Sequence, residues 1–255
     1  MNNSKLKIET DVIRTDIIDS LAILEVKEYA FSMMTEIKEG FTIINWYNLI
    51  KNNNSIKGVL LYGKSDLFCE TPYKKFLSNI SGKNIESLEL ANLESVNLDI
   101  RKKQINMLNN LTRNILEFPK MIISFLDGCV VTPFIGSILA TDVRLATNQT
   151  TFSFLHKKYG LHPTGALPFF LIANLGLAKA KNLLYTKDKL NSDELLSLGL
   201  VDEVISPSNI EEVIDYAKSL IEKNSTTFKT TKKLSNKIFN DQYESFMEIE
   251  EQMVL

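Results

Sequence analysis

The sequence predicts an α/β fold, and three observations carry that prediction. Two short, continuous apolar runs, Gly58–Tyr62 and Met121–Leu126, have the composition of strands buried on both faces. Segments with apolar residues at helical spacing alternate with such runs, as in a layered sheet-and-helix core. After Pro163 the chain is a succession of helix-patterned stretches. With 255 residues, 44% apolar and 24% charged, the chain can bury a sizeable core and has the balance of a globular domain.

Taken in order, the first 15 or so residues are polar and read as a loose or strand-forming lead. Leu21–Val26 reads as a strand. Phe31–Lys51 carries Phe31, Met34, Ile37, Phe41, Ile44 and Ile50 at helical spacing, and Asn52-Asn53-Asn54 ends that helix. Gly58–Tyr62 is the first buried strand. From Lys64 to Glu94 the pattern weakens, which predicts a loop with helical pieces. Ile100–Glu117 is an amphipathic helix that stops before Pro119. Met121–Leu126 is the second buried strand, closed by the turn pair Asp127-Gly128. Asp142–Ala146 and Thr151–Phe154 follow as strands. Helices are predicted over Leu167–Leu175, Leu177–Tyr185 and Ser192–Leu198. A short strand at Val201–Ile205 precedes helices at Asn209–Lys223, Thr226–Asn240 and Gln242–Met253.

Charge and composition exclude several functions. The formal net charge is −2, from 29 basic and 31 acidic residues, which argues against nucleic-acid or anionic-membrane partners held by bulk charge. No apolar stretch reaches 18 uninterrupted residues, and no signal-peptide apolar region follows the start, so no membrane span is expected. The two cysteines, Cys69 and Cys129, form no CxxC pattern or metal cluster. They read as inert, buried thiols in a reducing, cytoplasmic compartment. No metal site is expected.

Catalytic signatures are sparse. There is no GxSxG elbow, no GxGxxG and no phosphate-loop sequence. The only histidines are His156 and His162. His156 follows the strand at Thr151–Phe154. It reads either as a polar residue closing a strand end or as a group facing a pocket where the sheet opens.

Four stretches together resemble the crotonase (enoyl-CoA hydratase/isomerase) superfamily. Pro119–Gly128 looks like the family's strand ending in an Asn-Gly or Gln-Gly turn. Ala140–Ala146 is similar to its "ACDIRIA" segment. Thr151-Phe152 through Lys158–Ala166 is similar to its "F…LG…P…GA" segment. Leu175–Ala180, Leu190–Glu194 and Leu198–Ile205 are similar to its "GLV..VV" region. Order and spacing agree over roughly residues 20–250. The resemblance implies a ClpP/crotonase-like spiral of ββα units over residues 1–190, followed by a C-terminal helical trimerisation region over 191–255, the two forming one structural unit. Lys158–Ala166 is also similar to decarboxylases that act in β-branching during polyketide biosynthesis.

What the resemblance implies for function is an acyl thioester substrate, carried by coenzyme A or by the phosphopantetheine arm of an acyl carrier protein. No separate cofactor is implied. Two backbone N–H groups would polarise the thioester carbonyl, side-chain acids and bases would move protons, and the assembly would be a homotrimer or a dimer of trimers.

This sequence departs from that pattern at the chemistry. Counting back from Asp142, the central oxyanion glycine falls on Pro133, and the first-loop donor, four residues after Phe68, falls on Pro72. Proline has no N–H to donate. A one-residue shift in either loop would bring in Thr71, Tyr73, Thr132 or Phe134 instead, beside Cys69. The two hydratase glutamates map to Gly136 and His156. The loop Val26–Ser32, which in the family helps hold adenine, is several residues short, as suits a carrier-bound acyl group. Lys74 and Lys75 stand near the lysine that pairs with the leaving carboxylate in the β-branching decarboxylases; those enzymes also use a histidine on the C-terminal helix, which this chain lacks. Three functions therefore compete. The first is a divergent lyase or isomerase on a carrier-bound thioester, with His156 as proton donor and Lys74 or Lys75 as carboxylate partner. The second is a binding or scaffold subunit without catalysis. The third is an ordinary enoyl-CoA hydratase or isomerase. A sealed slot between residues 68–76 and 130–136 favours the second; an open tunnel with convergent N–H groups favours the first.

Overall fold

The computed structural model describes residues 6–31, 34–81, 98–223 and 227–253. Two adjacent strands open the chain, β1 (Ile13–Ile18) and β2 (Leu21–Val26), paired antiparallel through a tight turn with Asp19 at positive φ. Helix α1 (Ile37–Lys51) then leads to β3 (Gly58–Gly63), α2 (Glu70–Ser81), α3 (Leu98–Glu117) and β4 (Met121–Leu126). A three-residue strand, β5 (Cys129–Val131), runs directly into α4 (Thr132–Leu139), followed by β6 (Val143–Ala146) and β7 (Thr151–Ser153). The remainder is α5 (Leu167–Leu175), α6 (Leu177–Thr186), β8 (Lys189–Asn191), α7 (Ser192–Ser197), β9 (Glu203–Val204), α8 (Ile210–Lys223) and α9 (Phe228–Glu250).

The main sheet has the order β1-β2-β3-β4-β6-β9 and is parallel from β2 onward. A second sheet, β5-β7-β8, pairs β5 parallel and β8 antiparallel to β7. Both faces of the main sheet are covered, which explains the unbroken apolar runs of β3 and β4. One face packs Leu24, Val59 and Ile122 against α1, α3 and α4. The other packs Leu60, Ile123 and Leu145 against Val213, Ala217 and Ile221 of α8.

The structure adds to and changes the predicted elements. The helical piece expected after Lys64 is a regular helix, α2, whose buried face is Tyr73, Phe76, Leu77 and Ile80. Residues 82–94 of that prediction lie outside the described residues. The short segment between Gly128 and Asp142 holds β5 and α4, too brief for periodicity to reveal. Lys189–Asn191 is a strand. The two helices predicted at the end are one, because Asp241 sits on the exposed face and interrupts nothing while Lys232, Tyr243, Met247 and Glu250 continue the buried side. Among the described residues no helix is long and apolar enough to cross a membrane.

Two of the sequence segments that stood out are structural clamps. Arg144 on β6 donates to the Leu139 and Thr141 carbonyls and pairs with Asp202 at 2.9 Å, joining β6 to the turn before β9. Asp142 accepts from the Ile122 amide at 2.8 Å and pairs with Lys232 of α9 at 2.7 Å, in a buried setting.

Candidate functional site

The N-termini of α2 and α4 converge beside the C-terminal ends of the parallel strands. The Val131 amide donates to the Phe68 carbonyl at 2.9 Å, which locks the two entrance loops together. Helix N-termini present free N–H groups and partial positive charge, so this is where a polarised oxygen could be held. Several of those positions carry no free donor. Pro72 is the third residue of α2, and Pro133 lies in the first turn of α4, positions where a missing N–H costs the helix nothing. The Cys69 amide donates to Asp66 O, the Tyr73 amide donates to Cys69 O at 3.3 Å, and the Thr71 amide donates to the Cys69 sulfur. Burial pushes the Cys69 thiol above its ordinary value.

Aromatic side chains occupy the space between the two helix ends. Phe134 packs edge-on against Phe68 and Phe31, with ring centroids 4.9 and 5.1 Å apart. Phe31 also meets Tyr73 at 5.2 Å, and Tyr73 meets Tyr159 at 5.9 Å. Phe31, Tyr73 and Phe134 are all buried. Behind Phe68 and Phe134 lies an apolar cavity of about 100 Å³, bounded by Leu61, Tyr47, Leu111 and Ile138.

Gly136, the position to which the resemblance maps a family glutamate, has no room for any side chain. The turn at Gly165, held at φ 72°, presses its carbonyl onto α4, so a Cβ at position 136 would lie 1.7 Å from Gly165 O. Thr132 closes the end of β7: its hydroxyl accepts from the Leu155 amide at 2.9 Å and donates to Ser153 O at 3.3 Å. His156, which is 6% exposed, approaches the same hydroxyl through Nδ1 at 3.5 Å. Its Nε2 lies 3.1 Å from the Leu184 carbonyl, which can only accept, so Nε2 carries the proton. Burial pushes the imidazole below its ordinary value and keeps it neutral.

The structure places Cys69, Thr71 and Tyr73 together around the first turn of α2, sets Phe134 between Phe31 and Phe68, brings Thr132 and His156 together at 3.5 Å, and turns Gly136 onto the Gly165 turn. Lys74 sits at the rim of this region, 3.6 Å from Glu70, whereas Lys75 points to solvent. Glu70 is the hub of that rim, accepting from Lys158 Nζ and the Tyr159 hydroxyl, each at 2.7 Å. Burial opposes its ionisation, yet Lys158, Tyr159 and Lys74 together hold it below its usual range.

Sequence reasoning did not single out Glu70, Tyr159, Arg101 or Glu250. A signal existed for Arg101: with Gln104, Ile105, Leu108 and Thr112 it falls on the buried stripe of α3, where polar residues are out of place.

The family model described as Enoyl-CoA hydratase/isomerase matches residues 32–255. Ethylmalonyl-CoA decarboxylase of Mus musculus is 25% identical over 174 residues, covering 68% of this chain and 49% of that protein. The match thus spans about half the length of that relative. A trans-2-decenoyl-[acyl-carrier-protein] isomerase of Streptococcus mutans is 22% identical over 186 residues, covering 71% of this chain and 66% of that protein. Among solved structures, an enoyl-CoA hydratase from Bacillus halodurans superposes with a TM-score of 0.77 at 20% identity, covering 95% of this chain and 93% of that one.

Proposed function

Because the chain belongs to the enoyl-CoA hydratase/isomerase family, we propose that it is an acyl-thioester-binding member that has given up the family's hydration and enolate chemistry. One observation carries this reading: where two converging amides should polarise a thioester carbonyl, there are two prolyl nitrogens without an N–H, amides turned onto Cys69, and a packed cluster of Phe31, Phe68, Tyr73 and Phe134. Removing a single oxyanion donor typically costs roughly 10²–10³ in kcat, and prolines at both positions that the resemblance assigns to donors support this reading. The apolar cavity behind Phe68 and Phe134 suits the tail of a short acyl chain. The pantetheine arm would come from coenzyme A or from a carrier protein, and the working assembly would be a homotrimer or a dimer of trimers.

A second reading, a decarboxylating lyase, is favoured by the relatives that are decarboxylases and by the cationic rim of Lys74 and Lys158 on Glu70. In that reading Lys74 faces the leaving carboxylate. His156 is the assigned proton donor, although its Nε2 proton is committed to Leu184 O.

The test pairs binding with turnover. Calorimetry with butyryl-CoA and butyryl-pantetheine on a carrier protein should show saturable binding. Crotonyl-CoA hydration, 2-decenoyl isomerisation and carbon dioxide release from ethylmalonyl-CoA should stay at the uncatalysed rate. Measurable carbon dioxide release would replace the first reading with the second, and hydration would overturn both.

A further inference from the structure

A second cavity, of about 280 Å³, lies between the first half of α9 and the segment Leu116–Pro119 that leads from α3 to β4. The residue after that segment, Lys120, donates to the Ile50 and Asn53 carbonyls ahead of β3, at 2.6 Å each. The cavity therefore sits at the N-terminal ends of the parallel strands. The slot lies at their C-terminal ends, roughly 20 Å away along strands of six residues.

Its wall is cationic. Lys229, Lys233 and Lys237 recur every four residues along α9 and line the cavity together with Lys232. Glu117 is the one carboxylate among the described residues that line it. Side chains four apart share a helix face, so the three ammonium groups repel one another there. Lys237 has Asp241 at 3.3 Å. Among the described residues no ion pair holds Lys229 or Lys233, and both are exposed. Positive charge is crowded nearby as well: burial and the charge of Lys229 push the Lys120 ammonium down to about 8.

Two buried groups also line the cavity. Lys232 is 6% exposed and donates to Asp142 and to the Ile115 carbonyl, two of the three hydrogen bonds an ammonium can make. Asn240 has a buried Oδ1 with no hydrogen-bond partner, and a buried acceptor left unpaired is costly. The ammonium groups call for an oxyanion, while Asn240 and Glu117 call for donors beside it. A metal cation is repelled, an apolar ligand leaves both kinds of group unpaired, and a simple carboxylate offers Asn240 nothing. A phosphate ester that also carries hydroxyl groups supplies both. The volume lies below the roughly 300–1,000 Å³ of pockets for larger ligands, which suits a compact molecule.

We propose that this cavity binds a phosphate monoester of a small polyol, with the phosphate on Lys229, Lys232 and Lys233 and hydroxyl groups on Asn240 and Glu117. The site is separate from the slot and does not rest on the thioester reading.

The experiment is calorimetric titration of the full chain, at low ionic strength, with ribose 5-phosphate, inorganic phosphate and ribose. The variants are the pair Lys229→Ala with Lys233→Ala, the single change Asn240→Leu, and a control pair, Lys102→Ala with Lys103→Ala, on exposed positions of α3. Ribose 5-phosphate should saturate one site and bind at least ~10-fold more tightly than inorganic phosphate, and ribose should not bind. The cavity pair, whose lysines are exposed and hold no packing, should weaken ribose 5-phosphate by ~10-fold or more. Asn240→Leu should bring its affinity down to that of inorganic phosphate, and the control pair should leave it unchanged. Absence of ribose 5-phosphate binding overturns the proposal. So does equal affinity for ribose 5-phosphate and inorganic phosphate, or a loss in the control pair as large as in the cavity pair. The wild-type comparison of the three probes decides the matter even if Asn240→Leu fails to fold.

Discussion

At the scale of single residues, the slot is shaped by groups that leave no room for substitution. Gly136→Glu, the change that would restore a family glutamate, drives a Cβ into Gly165 O. It should destabilise by at least the ~1–3 kcal/mol typical of overpacking and give no hydration activity, as thermal melts and a crotonyl-CoA assay would show. His156 and Glu250 impose opposite pH dependences. The imidazole is held neutral by burial, so below its ordinary value the unfolded chain binds a proton that the native one refuses. Stability is therefore lost as pH falls below about 6.5, and His156→Gln should flatten that acid limb. Glu250 behaves in the reverse sense. Its carboxyl is raised from 4.5 to about 7 by burial, so between those values the native state keeps a proton that the unfolded chain releases. Its contribution is complete below pH 4.5 and is lost as pH rises through 7. Urea titrations should show a fall on the order of 3 kcal/mol across that window, absent in Glu250→Gln.

At the scale of elements, α9 determines how the C-terminal region is held. Lys232 pairs with Asp142 in a buried setting and also donates to the Ile115 carbonyl, so α9 is tied to the start of β6 and the end of α3. Lys232→Met should cost about 3–5 kcal/mol, because it strands a buried carboxylate. Adding Asp142→Asn should recover much of that loss, since the amide oxygen can still accept from Ile122. A double-mutant cycle in urea measures the coupling directly. Elsewhere the first-turn prolines of α2 and α4 make a different point. Each takes one N–H out of the first turn at a position where proline suits a helix start.

At the scale of the whole molecule, the spiral keeps its frame while aromatic rings pack between the α2 and α4 N-termini. The frame depends on backbone pairing and on clamps such as Arg144–Asp202, neither of which involves the slot. Leu177 and Tyr185 on α6 and Leu234 on α9 remain exposed in the single chain, as a surface meant for other copies would be. If the chain assembles as the family resemblance implies, sedimentation velocity should give a trimer or hexamer. Leu177→Asp combined with Tyr185→Asp should then shift it toward monomer without lowering the helical signal.

The sequence by itself determined the buried strands, most of the helices and the family, because each rests on local periodicity or on short spacings such as Asp142 to Arg144. It also put Pro72 and Pro133 at the positions that the resemblance assigns to donors, and the structure has both in the first turns of helices. It could not show that Thr71 and Tyr73 turn their amides onto Cys69, or that Phe31 packs across to Phe134. Nor could it show which nitrogen of His156 holds the proton, since the carbonyl that decides it belongs to Leu184 on another helix. Arg101 and Glu250 come from opposite ends of the helical layer, and neither is unusual in its own segment. Only the tertiary packing of α3, α9 and the Gly165 turn takes both away from water, Arg101 against Gln104 and the His162 carbonyl, Glu250 against the Ala166 amide.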